Sequence, residues 1–171
     1  MLLSFALWLQ ATYFFTELRL STTVYPAILS LHLIGMGLFG SMIVVTDLRI
    51  LGLALKKYPV ADIALQLRGL KRVGFVLVIT CGLLMLGSKA EEYYLNIFFR
   101  AKVSLLLLVG VHALVFHSSV YNRLGETKLG EQVPARAKLA AVLSLILWLS
   151  IMICGRGIGY IEPPLNIHAG V

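Results

Sequence analysis

Four apolar runs organise the chain: Leu20 to Thr46, Val73 to Ser88, Val103 to Asn122 and Leu139 to Gly155, each free of Asp, Glu, Lys and Arg. A bilayer crossing takes roughly 20 apolar residues. The first and third runs meet that length; the second and fourth are short. Lys71, Arg72, Lys138 and Arg156 border those two, and their stems extend the apolar zone while the charged heads reach the interface. Four spans follow, and the expected fold is an all-α membrane protein: a four-helix transmembrane bundle over residues 21–155.

Before the bundle, Leu7, Ala11, Phe14, Phe15 and Leu18 fall on one helical face, with Gln10, Glu17 and Ser21 elsewhere. That pattern predicts a helix over residues 1–20 lying in the interface, or alternatively a fifth span. The first 16 residues lack the basic start and small-residue cleavage site of a signal peptide, so they are expected to be retained. Between the first two spans, Pro59 breaks the loop, and Ala61 to Leu70 reads as a short amphipathic helix. Residues 156–171, with Pro163 and Pro164 and several glycines, read as an extended tail.

Composition agrees with the pattern. The 171 residues are 59% hydrophobic and 13% charged, against about 25% charged in soluble domains. The net charge of +7 is unevenly placed. Arg49, Lys56, Lys57, Arg68, Lys71 and Arg72 lie between spans one and two, and Arg123, Lys128, Arg136 and Lys138 between three and four. The positive-inside rule makes these connections cytoplasmic and places both ends of the bundle, including the C-terminal tail, on the outer side of the membrane. Such charge reads as orientation and attraction to anionic lipid, not as a nucleic-acid surface. Cys81 and Cys154 differ too much in depth for a disulfide. The connection SKAEEYYLNIFFRAK carries the aromatic belt of an interface, and it is also a candidate docking surface for a periplasmic partner.

The chemistry sits in the histidines. His32 lies in the first run beside Gly35, Gly37, Gly40 and Ser41; His112 and His117 lie in the third; His168 lies in the tail. An ionisable residue inside a membrane helix is costly and marks a functional candidate. Counted from Ser21 and Ala101, His32 and His112 are both 11 residues deep. Two imidazoles at one depth on parallel helices suit the two axial positions of haem iron, with Arg156 available to a propionate. His117 lies five residues deeper, and is the other candidate for the second ligand. The small residues of the first span either pack a neighbouring helix or clear room for a flat ligand. No carboxylate accompanies His32 or His112, which disfavours a metal site without a macrocycle. Asp47, Arg49 and His117 form a second group near the inner end; interface anchoring explains the first two, and a proton-transfer or quinone-head site is the sharper alternative.

Three segments carry a resemblance: YP(x5)HLIGMGLFGS(x5)DLRILG from Tyr25 to Gly52, YYLNIFFRAKVSLLLLVGVHALVFH from Tyr93 to His117, and LSLILWLSIMICGRGIGY from Leu143 to Tyr160. The chain resembles a family of small four-helix bacterial inner-membrane proteins of unknown function, itself distantly similar to small b-type cytochromes and copper-resistance membrane proteins. In the family pattern an acidic residue often precedes the histidine by three, where this chain has Leu29, and an asparagine often stands at the position of His112.

The expected function is therefore a b-type cytochrome subunit that passes electrons between the quinone pool and a periplasmic or membrane redox protein, with haem b held by His32 and His112. The competing expectation is a cofactor-free accessory or anchoring subunit of a larger membrane complex, including a homo- or hetero-oligomer. No nucleophile or general-base constellation points to a stand-alone enzyme.

Overall fold

In the computed structural model, residues 1–116 and 133–161 are described. His117, His168 and most of the expected tail lie outside the described residues. Every regular element among those residues is an α-helix. In chain order these are α1 (Leu2–Gln10), α2 (Tyr13–Leu20), α3 (Val24–Leu51), α4 (Val60–Gln66), α5 (Arg68–Ser88), α6 (Ala90–Leu95), α7 (Ile97–Phe116) and α8 (Ala135–Ile158). Four of them, α3, α5, α7 and α8, are long and apolar enough to cross a membrane. In hydrocarbon each backbone amide must find its partner within the segment, and a helix does that for all but its ends.

Helices α5 and α8 are longer than their uncharged runs, and α7 starts before its own. Helix α5 takes in Arg68, Lys71 and Arg72, α7 takes in Arg100 and Lys102, and α8 takes in Arg136 and Lys138. Charged residues at span ends can extend to the interface without breaking the helix; Lys71 and Lys102 instead turn inward, toward Thr46 and Gly155. At 28 residues, α3 would measure about 42 Å, more than the roughly 30 Å of hydrocarbon, so it tilts or projects.

Local chemistry sets the ends. The hydroxyl of Ser21 accepts from the backbone N–H of Val24 at 3.0 Å at the start of α3. Gly52, at φ +75, closes the helix in the left-handed conformation that favours glycine, and the N–H of Leu53 reaches back to the Leu48 carbonyl at 2.9 Å. Asn96 caps α7: its Oδ1 accepts from the N–H groups of Phe98 and Phe99 at 2.9 and 3.2 Å.

The N-terminal region is two short helices, broken at Ala11 and Thr12, instead of one. Gln10 ties it to α6, donating to Glu91 Oε2 at 3.2 Å and accepting from the Glu91 N–H at 3.1 Å. The aromatic connection is thus partly covered by the chain's own N-terminal helices. Tyr93 stacks on Phe99 with ring centroids 5.0 Å apart.

Helix α3 is the centre of the bundle. It packs against α5 on one side and α8 on the other, and α7 leans on α8. The packing order is α5, α3, α8, α7. Three apolar clusters mark successive depths. Leu18, Ile28 and Cys81 meet at one end; Met36, Trp148 and Ile151, with Leu105 and Val109 beside them, fill the middle; Ile50, Val60, Ala137 and Ala141, with Phe116, close the other.

Candidate functional site

Two polar levels interrupt this apolar packing, one toward each end of α3. At the first, His32 points toward α5, where Gly82 leaves the space: a Cβ on Gly82 would stand 3.2 Å from His32 Cε1. The ring lies near the backbone carbonyl of Val78 and within electrostatic reach of Lys102 on α7. Its Nδ1 is nevertheless buried with no hydrogen bond. Lys102 is seated over Gly155 of α8, with Cys154 also in its electrostatic surroundings. A lysine at this position escaped the sequence argument because it borders the uncharged run and reads there as an interfacial anchor.

His112 is elsewhere. Its ring stacks on Phe116 of its own helix, with centroids 6.2 Å apart. Phe116 belongs to the cluster around Ile50, whereas His32 lies one turn beyond Met36, beside Lys102. Ten residues of α7, about 15 Å of helix, separate Lys102 from His112. The structure does not bring the two histidines to a common level. The count from Ala101 misplaced the start of α7, which Asn96 sets at Ile97, and it took the outer ends of α3 and α7 to be flush.

Arg156 is also apart from His32. It is exposed, donates to the Tyr160 hydroxyl at 2.7 Å and lies 4.8 Å from that ring's centroid. The cation near His32 is Lys102.

The small residues of α3 divide between two roles. Gly35 lets α5 approach, with a hypothetical Cβ 3.0 Å from Leu77 Cβ, and Gly40 accepts the indole of Trp148. Gly37 and Ser41 instead line an open apolar groove of about 410 Å³ between α3 and α8.

At the second level, Asp47 of α3 is 7% exposed. It is a buried carboxylate and not the interfacial anchor expected from the sequence. The Ser144 hydroxyl of α8 lies within hydrogen-bonding reach of it, and Lys71 of α5 lies within electrostatic reach. Lys71 Nζ donates to Thr46 Oγ1 at 2.8 Å, and the Thr46 hydroxyl donates to the Met42 carbonyl at 2.7 Å. Asp47 Oδ2 is buried without a hydrogen bond. Arg49 is turned away, donating to the Tyr58 carbonyl at 2.7 Å on the surface.

Among the described residues no group of three or more His, Cys, Asp or Glu is placed to hold a metal ion. No curated protein and no solved structure matches the chain. The profile of a family of unknown function, DUF6644, matches residues 7–161, and the chain belongs to that family.

Proposed function

We propose that the protein is a small integral subunit of a larger assembly in a bacterial inner membrane, in which a partner completes α7. The observation that supports this is the state of α7. It is a 20-residue span with no buried residue, packed among the described residues mainly on α8, and yet it carries Lys102 and His112. Among the described residues neither side chain makes a hydrogen bond. A cation in the apolar zone needs an opposite charge or a set of acceptors. The partner is accordingly expected to bring a carboxylate or carbonyl group to the level of Lys102. Helices in lipid associate through such polar contacts and close packing.

A second reading is favoured by His32. A buried ring nitrogen without a partner, beside a glycine and near a lysine, suits a haem taken up from the lipid side: His32 supplies one axial ligand and Lys102, in place of Arg156, the cation for a propionate. In that reading the subunit passes electrons between the quinone pool and a periplasmic redox protein. The depth difference makes His112 unsuited to the same macrocycle.

One preparation separates the two. The chain is extracted from native membranes in mild detergent, its mass measured with the detergent accounted for, and its reduced-minus-oxidised spectrum recorded. A stoichiometric complex with a flat spectrum is the result expected for an accessory subunit. A b-type band that disappears in His32→Ala supports the haem reading. A lone chain with a flat spectrum overturns both.

A further inference from the structure

Asp47 is left out of both readings, and its surroundings are unusual for a residue kept only to pack. It lies one turn from the end of α3, 7% exposed, with one carboxylate oxygen buried and unpartnered. Each neighbouring element contributes a specific face. From α8 comes the Ser144 hydroxyl, a donor without charge; from α5 comes the Lys71 ammonium. Helix α4 packs on α3, and its buried residues Val60, Ile63 and Ala64 are apolar, while its Asp62 is exposed. On α3 itself Arg49 is occupied at the surface by Tyr58.

The arrangement holds Lys71 close without letting it quench the carboxylate. Its ammonium is fixed on Thr46 at 2.8 Å, and among the described residues the ion pair within 4.0 Å is Lys89 with Glu92, not Lys71 with Asp47. A permanently ionised carboxylate satisfied on both oxygens would be structural. One with a free, buried oxygen carries a desolvation cost that a proton relieves. Lys71 is the fourth residue of α5, at the end of the span that the basic connection adjoins, and Asp47 lies one turn from the same end of α3. The positive-inside expectation makes that side cytoplasmic.

We propose that Asp47, with Ser144 and Lys71, forms a proton-binding site that exchanges with the cytoplasmic aqueous phase. The step is simple: Oδ2 takes one proton from water to become the neutral acid, the Ser144 hydroxyl stays within reach of the carboxyl group, and Lys71 keeps its charge on Thr46. Release returns the proton along the same route. The site needs no cavity, and its operation is independent of haem or of a partner at α7.

Infrared difference spectroscopy of the purified full chain in lipid nanodiscs, stepped from alkaline to acid pH, tests this directly. The expected result is a protonated-carboxyl band that grows as pH falls and is missing in Asp47→Asn. At a fixed pH the same band should grow in Lys71→Met, because removing the cation favours the neutral acid. Circular dichroism checks that each variant is folded. If Asp47→Asn does not fold, the Lys71→Met response alone decides. A carboxylate signal at Asp47 that does not titrate, or a band unaffected by either substitution, overturns the proposal and leaves Asp47 as a structural hydrogen-bond acceptor for Ser144.

Discussion

Trp148 of α8 lays its indole against Gly40 of α3, in the volume that a Cβ at position 40 would occupy. The contact joins the two central helices within the cluster of Met36, Trp148 and Ile151. Because the overlap would be with a rigid ring in a packed interface, Gly40→Ala is expected to destabilise the bundle by about 1–3 kcal/mol. Gly37, three residues earlier, has nothing within 4 Å. Gly37→Ala should therefore cause no loss. Thermal unfolding in detergent followed by circular dichroism compares the two, and equal melting temperatures would show that the Trp148 contact is not maintained.

Asn96 ties two spans together. Its Oδ1 caps α7, while its Nδ2 donates to the carbonyls of Ile158 and Ile161 at 3.4 and 2.9 Å, fastening the end of α8. At 4% exposure these groups have little water to turn to. Asn96→Ala should cost about 1 kcal/mol for the cap and more for the buried carbonyls left bare. Asn96→Asp keeps the acceptor but not the donor, and should fall between the two in a denaturant titration.

The spans were legible from the sequence because a membrane helix is defined by its uncharged length. Their ends were not, because Lys71, Lys102 and Lys138 are helical residues that hydropathy assigns to loops. That error, harmless to the fold, is what spoiled the site. The depth of His112 was counted from Ala101, whereas the cap that starts α7 is Asn96, a residue with no apolar signature. The burial of Asp47 was equally hidden: a carboxylate at a span end looks like an anchor until packing is seen to leave it 7% exposed, with Ser144 of α8 and Lys71 of α5 about it. His32 was found as a polar residue within a candidate span, but the cation within its electrostatic reach is Lys102.

The asymmetry of the basic connections makes a topology prediction. Lys57, before α4, belongs to the charged side, and Glu91, in α6, to the other. In a chain with Cys81 and Cys154 replaced by alanine, Glu91→Cys should react with a membrane-impermeant maleimide added to cells whose outer membrane has been permeabilised. Lys57→Cys should react only after the inner membrane is opened. The reverse pattern would invert the bundle.

Tyr93, in α6 outside the spans, is held in its neutral form. Burial pushes its phenol well above the ordinary value, and a hydrogen bond with Tyr25 and the charge of Glu92 act in the same direction. The folded chain therefore keeps a proton that the unfolded chain gives up. Stability contributed by this residue is complete below the ordinary tyrosine value of about 10 and declines as pH rises beyond it. Alkaline unfolding should begin at higher pH in Tyr93→Phe, whereas absorbance should show no phenolate from Tyr93 while the wild-type chain is still folded. An unchanged onset in Tyr93→Phe would show that the phenol is not a contributor.

His32 allows a test of purpose through stability alone. A histidine serving as polar glue would be hydrogen-bonded across helices, and replacing it would weaken the bundle. Here the Val78 backbone of α5 lies near the ring, yet Nδ1 is buried without a hydrogen bond, so that nitrogen carries a desolvation penalty in the chain by itself. Leucine has a similar reach and no polar atom. His32→Leu is accordingly expected to leave the purified, cofactor-free chain as stable as the wild type or to stabilise it by about 1 kcal/mol. Gly82→Ala, which would crowd His32 Cε1 at 3.2 Å, should lose part of that stability in the wild type and less in the His32→Leu background, since leucine can turn away from the added methyl. A residue that costs its own fold something is one retained for a ligand or partner. A clear loss of stability in His32→Leu would instead make His32 a structural member of the α3 and α5 interface and remove the main support for haem.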